Sequence, residues 1–362
     1  PALLEANNLS SLRTGEQVTV SCCEGESGYL YAGEVEHGVE EFSLSRMPNL
    51  KSKLMVNLSL PERALSIAQF PWSGAGLVRS EFMIGSWVKV HPHALLYPDR
   101  LSRETRSAVE RLTRGQEAGP HYFVTKMSQA LGIIAGAFWP RPVTVRFSDF
   151  KSNEYARLLG GEEFEPKESQ PMLGCRGASR YLHPEFEEAF DLELRAVRRV
   201  RDEFGFSNIK VMIPFCRTPE EASELVELIR ANSGPSAKSL EIWGMAELPS
   251  NVILAEEFVE IFDGLSIGSS DLTSLTLGVA RDSEYITDYF DEMHPVMMKA
   301  YQTLIDTSHQ AEKPISFCGQ IASTDPEFAA LLVEMGVTIL SLAPDALHPV
   351  LRRLGARHDH RE

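Results

Sequence analysis

Residues 210–247, KVMIPFCRTPEEASELVELIRANSGPSAKSLEIWGMAE, decide the fold. KVMIPFC and EIWGMAE are short apolar runs of strand length, and TPEEASELVELIRANS between them carries apolar residues at three- and four-residue spacing. The runs suit buried strands, and the spacing between them suits an amphipathic helix. Strand, helix and strand in that order make one parallel β/α unit.

The same rhythm extends in both directions from residue 52 onward. KLMVNLS, GLVRSEFMI, PVTVRFSDF, GLSIGSS, ISFCG and TILSLAP are further strand candidates, which brings the number to eight. Helical stretches separate most of them. DPEFAALLVEMG has an acidic start and a glycine stop, and residues 282–312 are long enough for more than one helix. Eight units over ~310 residues favour a TIM (β/α)8 barrel over an open, doubly wound sheet. No GxGxxG or GxxxxGK[ST] loop supports the open sheet. Helical insertions are expected at 85–135 and 151–185. The first fifty residues differ: EQVTVSCCEGESGYLYAGEVE reads as a β-hairpin about the turn-forming EGESG, with EFSLSRMPNLKSK as a linker.

Of the 362 residues, 43% are hydrophobic and 24% charged, an ordinary globular balance. No apolar run approaches the ~20 residues of a membrane span, and the N-terminus lacks the pattern of a signal peptide. The expectation is a soluble cytoplasmic protein with no membrane partner. A net charge of −16 argues against nucleic acid as a partner, since a phosphate backbone needs basic stripes. It leaves room for a small anion held by a few arginines. The five cysteines, Cys22, Cys23, Cys175, Cys216 and Cys318, form no CxxC pair and read as reduced thiols.

Barrel enzymes place their chemistry at the C-terminal strand ends. Here those ends carry Asn57, Arg79, Glu81, Arg146, Arg217, Glu247, Asp271, Cys318 and Ser341. Singly, each has a plain reading as a helix cap, a rim ion pair or buried filler. Together they point at one mouth. Glu247 and Asp271 stand one β/α unit apart (271 − 247 = 24) and suit a shared Mg²⁺, which takes oxygen ligands. Arg79 and Arg146 suit a phosphoryl group through paired N–H donors. A cysteine near them suits proton transfer. The set fits phosphoryl transfer coupled to an enolate.

The segments GAGLVRSEFMI, VRFSDFKSNEYARLLGG, PMLGCRGASRY, KVMIPFCRTPEEA, AELPSNVILAEEF, DGLSIGSSDLTSLTLG and FCGQIAS occur in the order found in the PEP-utilising enzymes. The chain resembles that family, most closely its phosphoenolpyruvate synthase (pyruvate, water dikinase) type. The whole enzyme of that type has an ATP-grasp domain, a swivelling domain with a phosphorylated histidine, and a C-terminal barrel that binds pyruvate. The resemblance implies that residues 51–355 are the pyruvate/PEP-binding barrel, 1–50 the tail of the phosphohistidine domain with its linker, and 356–362 a short C-terminal tail. The histidine motif, of the form TCHAAI, does not occur; His37, in VEHGVEE, is the nearest upstream histidine. The chain would therefore be half a catalyst, inactive by itself in the full reaction and paired with phosphohistidine and ATP-grasp domains.

In that half, the resemblance implies Mg²⁺ (or Mn²⁺) on Glu247 and Asp271, chelating pyruvate and favouring its enolate. Arg79 and Arg146 would hold the phosphoryl group. The turn Gly268-Ser269 would present backbone groups to substrate, and Ser270 would reach the phosphate or carboxylate through a water. Cys318 would exchange the methyl proton, its thiolate favoured by the ion and the arginines. The family's GSND reads GSSD here, with Ser270 for asparagine; CEIPSN reads AELPSN, with Ala246; SLNPD reads SLAPD, with Ala343. The alternatives are a free-standing Mg²⁺-dependent, enolate-forming lyase or aldolase, and a non-catalytic dimerisation remnant. A homodimer is expected, through helical stretches near 285–305 and 325–335.

Overall fold

The structure, a computed structural model, describes residues 13–21, 28–38, 50–281, 283 and 285–358. Cys22, Cys23, the centre of the expected hairpin turn, most of the linker and the last four residues lie outside them. Strands β1 (Val18–Ser21) and β2 (Tyr29–Ala32) pair antiparallel, with Val18 opposite Ala32.

Eight strands close a parallel barrel: β3 (Lys53–Leu58), β4 (Ala75–Arg79), β5 (Val143–Arg146), β6 (Ile209–Ile213), β7 (Ile242–Ala246), β8 (Leu265–Ile267), β9 (Ile315–Phe317) and β10 (Ile339–Leu342). They follow one another in chain order, and β10 returns to β3. Each was expected from an apolar run, because a strand covered on both faces buries successive residues. All five residues of β7 are buried.

The helices between them start and stop where the side chains dictate. Pro219–Asn232 is capped by Thr218, whose side chain accepts from the Glu221 N–H, and it buries Ala222, Leu225 and Ile229. Pro326–Met335 is capped by Asp325 and ends at Gly336, which takes a left-handed φ of 106°.

Two expectations need correction, and a third is narrowed. The run GLVRSEFMI is strand only to Arg79; Ser80–Met83 turns helical and Ile84–Val88 forms a π-turn. The first insertion ends before residue 120, because Pro120–Phe138 is a long helix packed into the core through Phe123, Met127, Leu131, Ile134 and Phe138. The apolar residues of Pro295–Gln310 and Pro326–Met335 that suggested a dimer surface, among them Met297, Tyr301, Leu304, Phe328 and Leu332, are buried within the chain itself. Exposed apolar residues of 285–305 remain at Tyr285, Ile286, Tyr289, Met293 and Val296. No helix among the described residues is long and apolar enough to cross a membrane.

Strand alternation divides the core. Val78, Val211, Ile213 and Ile242 join the large cluster under the helices, whereas Leu77, Met212, Trp243, Met245 and Cys318 form a small separate one in the barrel interior. That inner cluster is the apolar floor of the site.

Candidate active site

The strand ends open on a cavity of about 590 Å³. Arg79, Arg146, Glu247, Gly268, Ser269, Ser270, Asp271 and Cys318 all line it, as does Glu81. Three other strand-end candidates do not. Asn57 and Ser341 bond each other: Asn57 Nδ2 donates to the Ser341 carbonyl at 3.2 Å and Ser341 Oγ to Asn57 Oδ1 at 2.6 Å. Arg217 donates to Ser179 Oγ (2.6 Å) and the Gly174 carbonyl (2.7 Å), which fastens the loop before the next short helix.

Asp149 joins Glu247 and Asp271. One carboxylate oxygen from each lies within 4.8 Å of the others. Mg²⁺–oxygen distances of about 2.1 Å put neighbouring ligand oxygens about 3 Å apart, so small side-chain rotations close this set on an ion. Glu247 is buried, and its Oε1 accepts from the Phe215 N–H at 2.7 Å. The Glu247 and Leu248 N–H groups both donate to Asn251 Oδ1, which holds the end of β7. Burial first, and then the charges of Asp271 and Asp149, push the Glu247 carboxyl up to about 8, against the opposing pull of Arg146 and Arg176. Three carboxylates this close, two of them buried, are a donor set that a divalent cation satisfies.

Arg176 holds two of the three. Its Nε donates to Asp149 Oδ1 at 3.0 Å, and its Nη2 donates to Asp149 Oδ2 and, at 2.9 Å, to Asp271 Oδ2. Arg146 donates to Glu81 Oε1, which also accepts from the Asp149 N–H at 3.0 Å. Glu81 Oε2 and Arg146 Nε are buried without a hydrogen-bond partner among the described residues. These are orphaned polar atoms in the wall of the cavity, of the kind a bound ligand or water pairs with. Arg79 makes no hydrogen bond or ion pair among the described residues and opens to the cavity. The surrounding wall, and then the Arg146 charge, lower its pKa. It is a cation free to meet an anion.

Cys318 is buried, with Sγ 3.4 Å from the Ile267 carbonyl. Burial raises its pKa and outweighs Arg79 and Arg146. Arg79 and Arg146 pull toward the thiolate as expected, but by less than burial, so with these protein groups alone the thiol keeps its proton at neutral pH.

The small residues of GSSD serve the site's own packing. A Cβ on Gly268 would meet Met245 Cε at 2.6 Å and Glu247 Oε2 at 2.8 Å. A Cβ on Gly319 would lie 1.8 Å from Ser269 Oγ, and that hydroxyl donates to Glu292 Oε1. Ser270 is half-buried on the cavity wall, and its side chain makes no hydrogen bond among the described residues.

Residues 36–359 match the family of the PEP-utilising enzyme, PEP-binding domain. The chain belongs to this family. It is 45% identical over 359 residues to the phosphoenolpyruvate synthase of Synechocystis sp., covering 97% of this chain and 44% of that protein. It is 46% identical over 352 residues to the phosphoenolpyruvate synthase of Helicobacter pylori, covering 96% of this chain and 43% of that one. The chain thus spans less than half the length of these relatives. Among solved structures it is similar to an HpcH/HpaI aldolase/citrate lyase family protein from Burkholderia cenocepacia J2315, at 13% identity and a TM-score of 0.43, covering 88% of this chain and 98% of that one.

In this PEP-binding domain, sequence reasoning missed Asp149 and Arg176. Asp149 stands only three residues beyond Arg146, in VRFSDF, and reading on past the strand would have reached it. Arg176 lies far from any strand end.

The buried acids give a pH test. Behind Asp149, Glu193 Oε2 accepts from the Ser148 N–H at 3.0 Å, and burial pushes its carboxyl up to about 7. Glu193 and Glu247 keep their protons in the folded chain at pH values where the unfolded chain has lost them. Through these two groups stability falls as pH rises from the ordinary carboxylate range to about 8, whereas His91 and His93, held neutral by burial, work the other way below the ordinary histidine pKa of 6.5. Thermal melts in EDTA should show that decline, Glu247→Gln should flatten it, and saturating Mn²⁺ should remove the Glu247 share. The same pH dependence in the parent and in Glu247→Gln above pH 6.5 would contradict the assignment.

Proposed function

We propose that this chain is the pyruvate/PEP-binding half of a phosphoenolpyruvate synthase, taking a phosphoryl group from a phosphohistidine on domains outside it and joining it to pyruvate. The observation that carries this reading is one cavity lined by three convergent carboxylates, an uncommitted arginine and a buried thiol. The relatives' greater length gives room for the phosphohistidine and ATP-grasp parts.

Asp149, Glu247 and Asp271 would hold Mg²⁺ or Mn²⁺. Bound there, the cation would supply Lewis-acid charge that favours enolisation of a 2-oxo acid. Arg79 meets the phosphoryl group directly, and Arg146, fixed by Glu81, offers its unpartnered Nε. The apolar floor of Leu77, Met212, Trp243 and Met245 keeps water from the far side of Cys318. Towards pyruvate, the thiol gives its proton to the methylene carbon and becomes a thiolate. Towards PEP, the thiolate takes a methyl proton, and burial makes that form the scarcer one.

Oxalate, a planar mimic of the enolate, tests the site without ATP chemistry. Calorimetry should show oxalate binding to the chain only when Mg²⁺ or Mn²⁺ is present, and Glu247→Ala should abolish it. Undiminished binding in Glu247→Ala would overturn the reading.

A further inference from the structure

We propose that Phe215 is a positioning residue for the cation site, an inference that rests on the reading above. Phe215 has φ 47°, in the left-handed region, which is an outlier for a bulky residue. A fully buried side chain in that conformation persists only where its surroundings over-determine it, and such positions cluster at functional sites.

Both halves of the residue reach the carboxylate cluster. Its N–H donates to Glu247 Oε1 at 2.7 Å. Its ring lies under the Arg176 guanidinium, 3.9 Å from Cζ to the ring centroid, with Arg217 at 4.9 Å. Arg176 in turn bonds Asp149 and Asp271. One residue thus touches both a candidate ligand and the holder of the other two. The backbone amide fixes one Glu247 oxygen, leaving the other to turn inward. The aromatic face supports the planar cation, so the fork meets both aspartates.

The neighbours enforce the conformation. Gly177 is needed beside it, since a Cβ there would meet Phe215 Cβ at 2.6 Å and the Pro214 carbonyl at 2.7 Å. Asn251 Nδ2 donates to the Cys216 carbonyl at 2.8 Å, and Ala178 N–H to the Pro214 carbonyl at 3.1 Å. The chain is pinned on both sides of Phe215.

The test is Mn²⁺ binding by electron paramagnetic resonance in Phe215→Gly and Phe215→Leu, with folding checked by circular dichroism. Glycine keeps the left-handed backbone and removes the ring; leucine removes the ring and disfavours the backbone. Groups that orient metal ligands change affinity by ~10–100-fold, and a weakening of that size is expected in the folded variants. A folded variant that binds Mn²⁺ as the parent does overturns the proposal. So does failure of both variants to fold, which would make Phe215 a packing residue. If the parent binds no Mn²⁺, the cation site falls and this role with it. If Glu247→Ala abolishes binding while the Phe215 variants leave it intact, only the positioning role falls.

Discussion

Cys318→Ser is expected to lower PEP formation by ~10²–10⁴-fold once the upstream phosphohistidine and ATP-binding parts are supplied, the range for losing a general acid–base group. A serine hydroxyl fills nearly the same space but is far less acidic than a thiol. Mn²⁺ and oxalate binding should survive, because Cys318 lies on the apolar floor while the carboxylates stand beyond the ends of other strands. The proton step can be followed alone, by exchange of pyruvate methyl protons with deuterated water. Serine turning over at the parent rate would make Cys318 a packing residue, and the proton carrier would have to be sought elsewhere on the wall. The raised thiol pKa adds a direction to this expectation. Exchange in the parent should speed up as pH rises, since it starts from the thiolate.

Arg176→Leu is expected to destabilise the metal-free chain by about 3–5 kcal/mol, the usual cost of removing one partner from a buried ion pair. The side chains of Arg176 and Asp149 are 4% and 1% exposed, so solvent screens their interaction little. The remaining Asp149 would face Glu247 and Asp271 with no counter-charge from this side. Mn²⁺ should restore part of the loss, because the ion supplies positive charge at the same carboxylates. Arg176→Lys should rescue poorly, since an ammonium cannot span two aspartates as a planar fork does. Chemical denaturation with and without Mn²⁺ measures both effects. A loss under about 1 kcal/mol in Arg176→Leu, the scale of an exposed surface pair, would show that the network contributes little.

The barrel could be read from the sequence because its signal is local. A strand buried on both faces writes itself as a run such as VTVR or IWGMA, and the polar residue that ends it marks the mouth. Glu247, Asp271, Arg79, Arg146 and Cys318 were found in that way. Closure of the barrel creates what could not be read. Arg176 comes from a loop 30 residues beyond Arg146 (176 − 146 = 30), and only the folded chain sets its guanidinium between Asp149 and Asp271. Phe215 looks like an ordinary apolar strand residue, and nothing in KVMIPFC announces a left-handed backbone. Arg217 was misplaced for the opposite reason: it follows a strand, but its side chain is spent on the loop carbonyls of residues 174 and 176. The state of the thiol was also hidden, since burial depth is a property of the fold.

The tight contact at Gly268 bears on how this mouth can change over evolutionary time. Any side chain there would collide with Glu247 and Met245, and any at Gly319 would displace Ser269. Both positions are closed to exploration while the acids stay in place. Between them, Ser270 faces the cavity with no hydrogen bond to lose among the described residues. Variation that retunes what the mouth accepts can therefore enter at position 270, where a side chain can change length and polarity while the scaffold that aims the carboxylates stays fixed.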